Sequence, residues 1–170
     1  MNRRAALAAI PASLLLASLA LSAGDAFAQS AKSLVGSWTL VSNDSVDASG
    51  KKAPIFGTNP RGSLIFTADG RYSLSIAQSS LPKFASNSRI KGTAEENKAV
   101  VSGMISHFGK YTVDEKAKTF TFNVEACTFP NWDGTAQVRP FTVSGSQLKY
   151  SGAASSASGS AFDLVWKRNK

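Results

Sequence analysis

The chain has 170 residues, a formal charge of +8, one cysteine and one histidine. A single cysteine excludes an internal disulfide; a lone histidine without a cysteine pair leaves no zinc-type metal cluster, and nothing in the composition calls for a cofactor. Beyond the N-terminal segment the basic pairs are Lys51-Lys52 and Lys167-Arg168, with no basic stripe interleaved with aromatics, so nucleic acid is not an expected partner.

Met1-Asn2-Arg3-Arg4 is a short basic start, Ala5 to Leu21 is an apolar run containing Pro11, and Ala26-Phe27-Ala28 places small residues where a signal peptidase reads. A charged start, an apolar centre and a small-residue exit make a secretory signal peptide. The run is short of the roughly 20 apolar residues of a membrane span, and no later segment approaches that length, so no transmembrane segment is expected. Residues 1–28 are predicted to be removed after Ala28, leaving 142 residues and, without Arg3, Arg4 and Asp25, a charge of +7. No cysteine follows the cleavage point to carry a lipid anchor. Asn2 to Leu7 is weakly similar to a twin-arginine signal, but the ordinary export route is favoured. Residues 29–33 read as a flexible leader and 34–168 as one domain, large enough to fold without a metal or disulfide.

Val35 to Asn43 is the first strand-like run, ending at the turn Asp47-Ala48-Ser49-Gly50. Ser63 to Thr67 and Arg71 to Gln78 flank Ala68-Asp69-Gly70, a hairpin signal. In the second of these runs Tyr72, Leu74 and Ile76 alternate with serines and alanine, as in a half-buried antiparallel strand. Ser79 to Gly92 is polar and reads as a loop. Thr93-Ala94-Glu95-Glu96 fits a capping box and predicts one short helix, Ala94 to Ser102, stopping near Gly103. Strands resume at Phe108 to Val113, Thr119 to Ala126, Gln137 to Ser144, Gln147 to Gly152 and Ala161 to Lys167. Phe129 to Gly134 interrupts them as an aromatic loop expected to cap one end.

Eight short strands in consecutive hairpins bury their apolar faces either as a sandwich or as a closed barrel. Closure removes exposed edges. The expected fold class is therefore all-β: an eight-stranded antiparallel up-and-down barrel with one short helix. Such a barrel is just wide enough to be filled by its own side chains or to hold one small ligand.

Gly36-Ser37-Trp38 opens the first strand and Trp166-Lys167-Arg168 ends the last. This resembles the lipocalins, in which a Gly-x-Trp sets an indole across the closed barrel end and a basic residue of the final strand packs over it. Cation–aromatic contact of this kind contributes about 0.5–2 kcal/mol. Gly36, Trp38 and Arg168 are thus structural candidates. Asn59 to Tyr72, Phe108 to Asp114, Phe129 to Arg139 and Leu164 to Lys167 are similar to segments of small bacterial lipocalin-like domain proteins, in the same order and spacing. The resemblance implies a calycin-type barrel and says little about activity, since fold does not fix function. The family often carries a histidine in the strand that here reads Phe120-Thr121-Phe122-Asn123, and this chain has none there.

With apolar parity pointing inward, the lining comprises Trp38, Leu40, Leu64, Phe66, Tyr72, Leu74, Ile76, Phe120, Phe122, Leu148, Tyr150, Phe162, Leu164 and Trp166. Arg139 shares its face with Gln137, Phe141 and Val143. An inward guanidinium must be paired, either with a ligand carboxylate or with Glu125. His107 shares parity with Tyr111 and is the only side chain whose ordinary pKa lies near neutrality. Its readings are a packed residue, an acid–base group or a haem ligand. Cys127 reads as a small apolar residue.

The leading expectation is an exported, periplasmic or secreted, monomeric protein that binds a small apolar or amphipathic ligand in the barrel. Tyr72, Tyr111, Phe122, Arg139 and Phe141 would form the ligand site. A calycin-type isomerase, cyclase or hydratase using His107, Glu125 and Arg139 is the alternative, and requires all three to face one pocket. An exported protein-interaction or inhibitor module is the third reading.

Overall fold

The structure is a computed structural model and describes residues 30–170. The predicted signal peptide lies outside these residues. Nine strands follow in order: β1 (Gly36–Val46), β2 (Lys52–Pro54), β3 (Arg61–Phe66), β4 (Arg71–Ala77), β5 (Met104–Asp114), β6 (Thr119–Cys127), β7 (Ala136–Ser144), β8 (Gln147–Gly152) and β9 (Ala161–Arg168). Each of β3 to β9 pairs antiparallel with the next, and β1 pairs with both β3 and β9. That last pairing closes an eight-stranded barrel. β2 stands outside the count, as a three-residue addition to the far half of β1.

Two helices complete the chain. α1 (Ala31–Leu34) is a single turn within the stretch expected to be a leader. It is anchored because Leu34 is fully buried and its carbonyl accepts the Trp38 indole N–H at 2.9 Å. α2 (Ala94–Gly103) is the predicted helix. The Glu96 amide donates to Thr93 Oγ1 and the Thr93 amide to a Glu96 carboxylate oxygen, which satisfies two orphan donors of the first turn. The other Glu96 oxygen accepts from the Ala85 amide, tying the preceding loop to the helix.

All fourteen residues assigned inward by parity are buried. The closed end is filled by aromatic edges: Phe66 meets Tyr111 at 4.8 Å between centroids and Phe120 at 5.6 Å, both near perpendicular. Across this end Arg168 stands over the Trp38 ring at 4.0 Å. Its guanidinium donates to the Val35 carbonyl at 2.6 Å and to the Ser33 carbonyl. Gly36 makes room for it: φ is +130°, and a Cβ there would lie 2.8 Å from Arg168 Nη1.

Two bulges adjust the register. Leu40 and Ser42 sit opposite Trp166 and Val165, so Val41 is an extra residue in β1. Gly109 and Phe108 sit opposite Val124 and Ala126, so Glu125 is an extra residue in β6. An extra residue reverses which parity faces in. At the second bulge a Cβ on Gly109 would lie 2.1 Å from the Asn123 carbonyl oxygen. Since that neighbour is backbone, Gly109→Ala must move a strand, and we expect it to lower stability by roughly 3 kcal/mol in urea unfolding.

Candidate functional site

At the end away from Trp38 the barrel holds a cavity of about 70 Å³. Its floor and walls are inward residues of the strands, among them Leu74, Ile76, Phe122, Tyr150, Phe162 and Leu164. Ile55 and Phe56 close one side from the segment after β2, where the Ile55 amide donates to the Asn43 carbonyl at 3.0 Å. Trp132, in a 3-10 turn over Pro130–Trp132, closes another. Ser156 and Ala157, both exposed, form part of the rim. The interior is thus largely filled, with a small void left at one end.

Four polar side chains face that void: Asn43, His107, Gln137 and Arg139. His107 is buried, and its Nδ1 lies 2.9 Å from the Tyr72 hydroxyl. Its ring meets the edges or faces of Phe122 at 5.3 Å and Trp132 at 5.8 Å. Burial in this aromatic cage, with the Arg139 charge as a lesser cause, pushes its pKa down to about 4. His107 is therefore neutral at neutral pH. Burial raises the Tyr72 hydroxyl well above its ordinary range, so the pair carries no charge.

Arg139 is half-buried and projects inward with Gln137, two positions along β7. Its guanidinium donates to Gln137 Oε1 at 2.6 Å and to the Val138 carbonyl at 3.0 Å, and lies 5.3 Å from the centre of the Phe162 ring. No carboxylate pairs with it among the described residues. Desolvation lowers its pKa from the ordinary arginine value. Asn43 is buried, and its Oδ1 has no hydrogen-bond partner.

The expected site residues separate on this geometry. Phe122 and Arg139 line the cavity. Tyr72 lies behind His107, the Tyr111 hydroxyl donates to the Thr67 carbonyl at 2.9 Å, and Phe141 packs on Phe120 at 5.4 Å; these three are core residues outside the cavity wall. Glu125 is the bulged residue of β6 and turns outward, where Arg71 donates to it at 2.7 Å. It neither pairs with Arg139 nor shares the pocket, so the expected acid–base set of His107, Glu125 and Arg139 is not assembled. Cys127 is half-buried on the strand opposite His107, and burial raises its thiol pKa. Asn43, Gln137, Ile55, Phe56 and Trp132 were not expected at a ligand site. An apolar Ile55-Phe56 pair inside a polar connection was the available signal for two of them.

The model of the family described as the lipocalin-like domain matches residues 35–169. The chain belongs to that family. No curated protein and no solved structure matches it. In this lipocalin-like protein the Gly36, Trp38 and Arg168 set closes one end of the barrel, and the polar quartet sits at the other. No helix among the described residues is long and apolar enough to cross a membrane.

Proposed function

We propose that this lipocalin-like protein is exported after cleavage behind Ala28 and binds a small apolar or amphipathic ligand at the open end of its barrel. One observation carries the reading: an aromatic and aliphatic cavity with an inward guanidinium that no protein carboxylate answers. Ligand sites are mostly apolar concavities with a few placed polar groups, and the wall has that composition. Export rests on the charged, apolar and small-residue succession of residues 1–28.

Two measurements test it. N-terminal sequencing of protein recovered from the producing cells should begin at Gln29. Thermal unfolding with a library of small alcohols, acids and aromatics should identify a stabilising compound; a ligand at 100 times its Kd adds about 2.7 kcal/mol. Ile105→Trp, which puts an indole into the cavity wall, should abolish that stabilisation. A library in which nothing stabilises the wild type would sink the binding reading.

A further inference from the structure

We infer that the ligand of this cavity is a short-chain hydroxy acid, its carboxylate on Arg139 and its hydroxyl on Asn43. The inference rests on the binding reading above and narrows it to a chemical class.

The charge comes first. Arg139 is the one charged side chain in the wall, and no Asp or Glu lines the cavity. A guanidinium has five N–H donors in a planar fork. Gln137 and the Val138 carbonyl take one from each terminal nitrogen, which fixes the plane and leaves the rest free. Planar two-oxygen acceptors match such a fork, and among organic groups the carboxylate does so bidentately. His107, neutral in its cage, adds no competing charge.

The second polar group is Asn43. Its side chain is more than nine-tenths buried, its Oδ1 is without a partner, and its amide makes no side-chain hydrogen bond to any described residue, yet it lines the same void. A primary amide both donates and accepts. A buried one left unanswered costs about 1–3 kcal/mol, so its presence in the wall points to a ligand group that satisfies it. A hydroxyl does this, because it also donates and accepts. A hydrocarbon or a plain fatty acid does not.

Size sets the remaining limit. A dry cavity of about 150 Å³ accommodates benzene, and this one is about half that volume. It therefore takes a chain of only a few carbons beyond the carboxylate, against Ile76 and Phe162.

The test is titration calorimetry on the purified protein with three matched probes: 3-hydroxybutyrate, butyrate and 1,3-butanediol. We expect 3-hydroxybutyrate to bind at least 5-fold more tightly than butyrate, and the uncharged diol to give no heat. Asn43→Leu should bring 3-hydroxybutyrate down to the butyrate affinity while leaving butyrate unchanged. Arg139→Met should abolish binding of both acids, and Arg139→Lys, which keeps the charge without the fork, should weaken both about 10-fold. The conservative lysine variant and the unchanged butyrate affinity of Asn43→Leu guard against a mere loss of fold. Diol binding equal to the acid, or full affinity in Arg139→Met, would overturn the acid class while leaving a binding cavity. Equal affinity for 3-hydroxybutyrate and butyrate would overturn the hydroxyl assignment. If the three probes are silent while neutral apolar compounds stabilise the protein, the class is wrong and the binding reading stands. Silence from every compound removes both.

Discussion

Replacing Trp38 with alanine is expected to remove about 4 kcal/mol of stability, a large part of what a domain of this size possesses. The indole is fully buried, donates to the Leu34 carbonyl and carries Arg168 on its face. Truncation empties the closed end and releases α1, because the helix is attached through that same carbonyl. Arg168→Met keeps the side-chain stem but loses the cation over the ring and two charge-assisted hydrogen bonds to the carbonyls of Val35 and Ser33. A loss of about 2–3 kcal/mol should follow. Urea unfolding of the single variants and the double variant checks both figures. The two losses should not add, since residues in contact couple by 0.5 kcal/mol or more. Strict additivity would mean that Arg168 and Trp38 act separately, against the geometry.

The second large effect is on pH. His107 titrates near 4 in the folded chain, against an ordinary value of 6.5. Between these values the unfolded chain holds a proton that the folded chain does not. Stability therefore rises with pH across that window: it is complete above about 6.5 and lost as the pH falls towards 4. The shift corresponds to about 3 kcal/mol. Acidic groups with lowered pKa values, such as Asp47, Asp69 and Glu96, act below the ordinary carboxylate range, which leaves the span from pH 6.5 to 4.5 chiefly to His107. His107→Gln keeps a hydrogen-bonding partner for the Tyr72 hydroxyl and cannot titrate. Its urea midpoint should stay level from pH 7 to 4.5 while that of the wild type falls. A wild-type midpoint that does not move across this range would show His107 to be hydrated and freely protonated.

Binding and pH meet in one cavity. A protonated His107 beside Arg139 would place two positive charges in the wall, but in the folded chain that requires pH near 4. At neutral pH the wall carries a single charge, which suits a monoanion. The enzyme reading loses its carboxylate, since Glu125 is held outside by Arg71. What remains is a site that can hold and orient a small acid.

The strand alternation was sufficient to place the core. Period-two patterns such as Tyr72, Leu74, Ile76 and Phe162, Leu164, Trp166 assigned the buried face correctly along the barrel, because burial on one side of a sheet forces that period. The capping box located α2 to within a residue, since its two hydrogen bonds are local. The extension of β5 back to Met104 was not legible. Met104 to His107 shows no clean alternation, and its pairing with β4 is decided by the neighbour strand.

The site was legible only in part. Simple parity along β1 carries Trp38 and Leu40 inward and then Ser42. The extra residue Val41 reverses this and turns Asn43 into the cavity. The extra residue Glu125 likewise leaves that carboxylate outside and brings Cys127 opposite His107. Arg139 was read inward from its own strand, but its lack of a carboxylate partner depends on where β4 and β6 put Arg71 and Glu125.

By itself the sequence determined the strand count of the closed barrel, its aromatic core, the Trp38–Arg168 closure and the inward Arg139, because these depend on local alternation and on the two ends of one chain meeting in a ring. Only the tertiary structure decided that the ring is mostly filled, that Asn43 replaces Ser42 in the wall, and that Glu125 leaves it. Those outcomes depend on single-residue bulges, which add one amino acid to one strand of a pair and show in the register between strands, where no single strand records them.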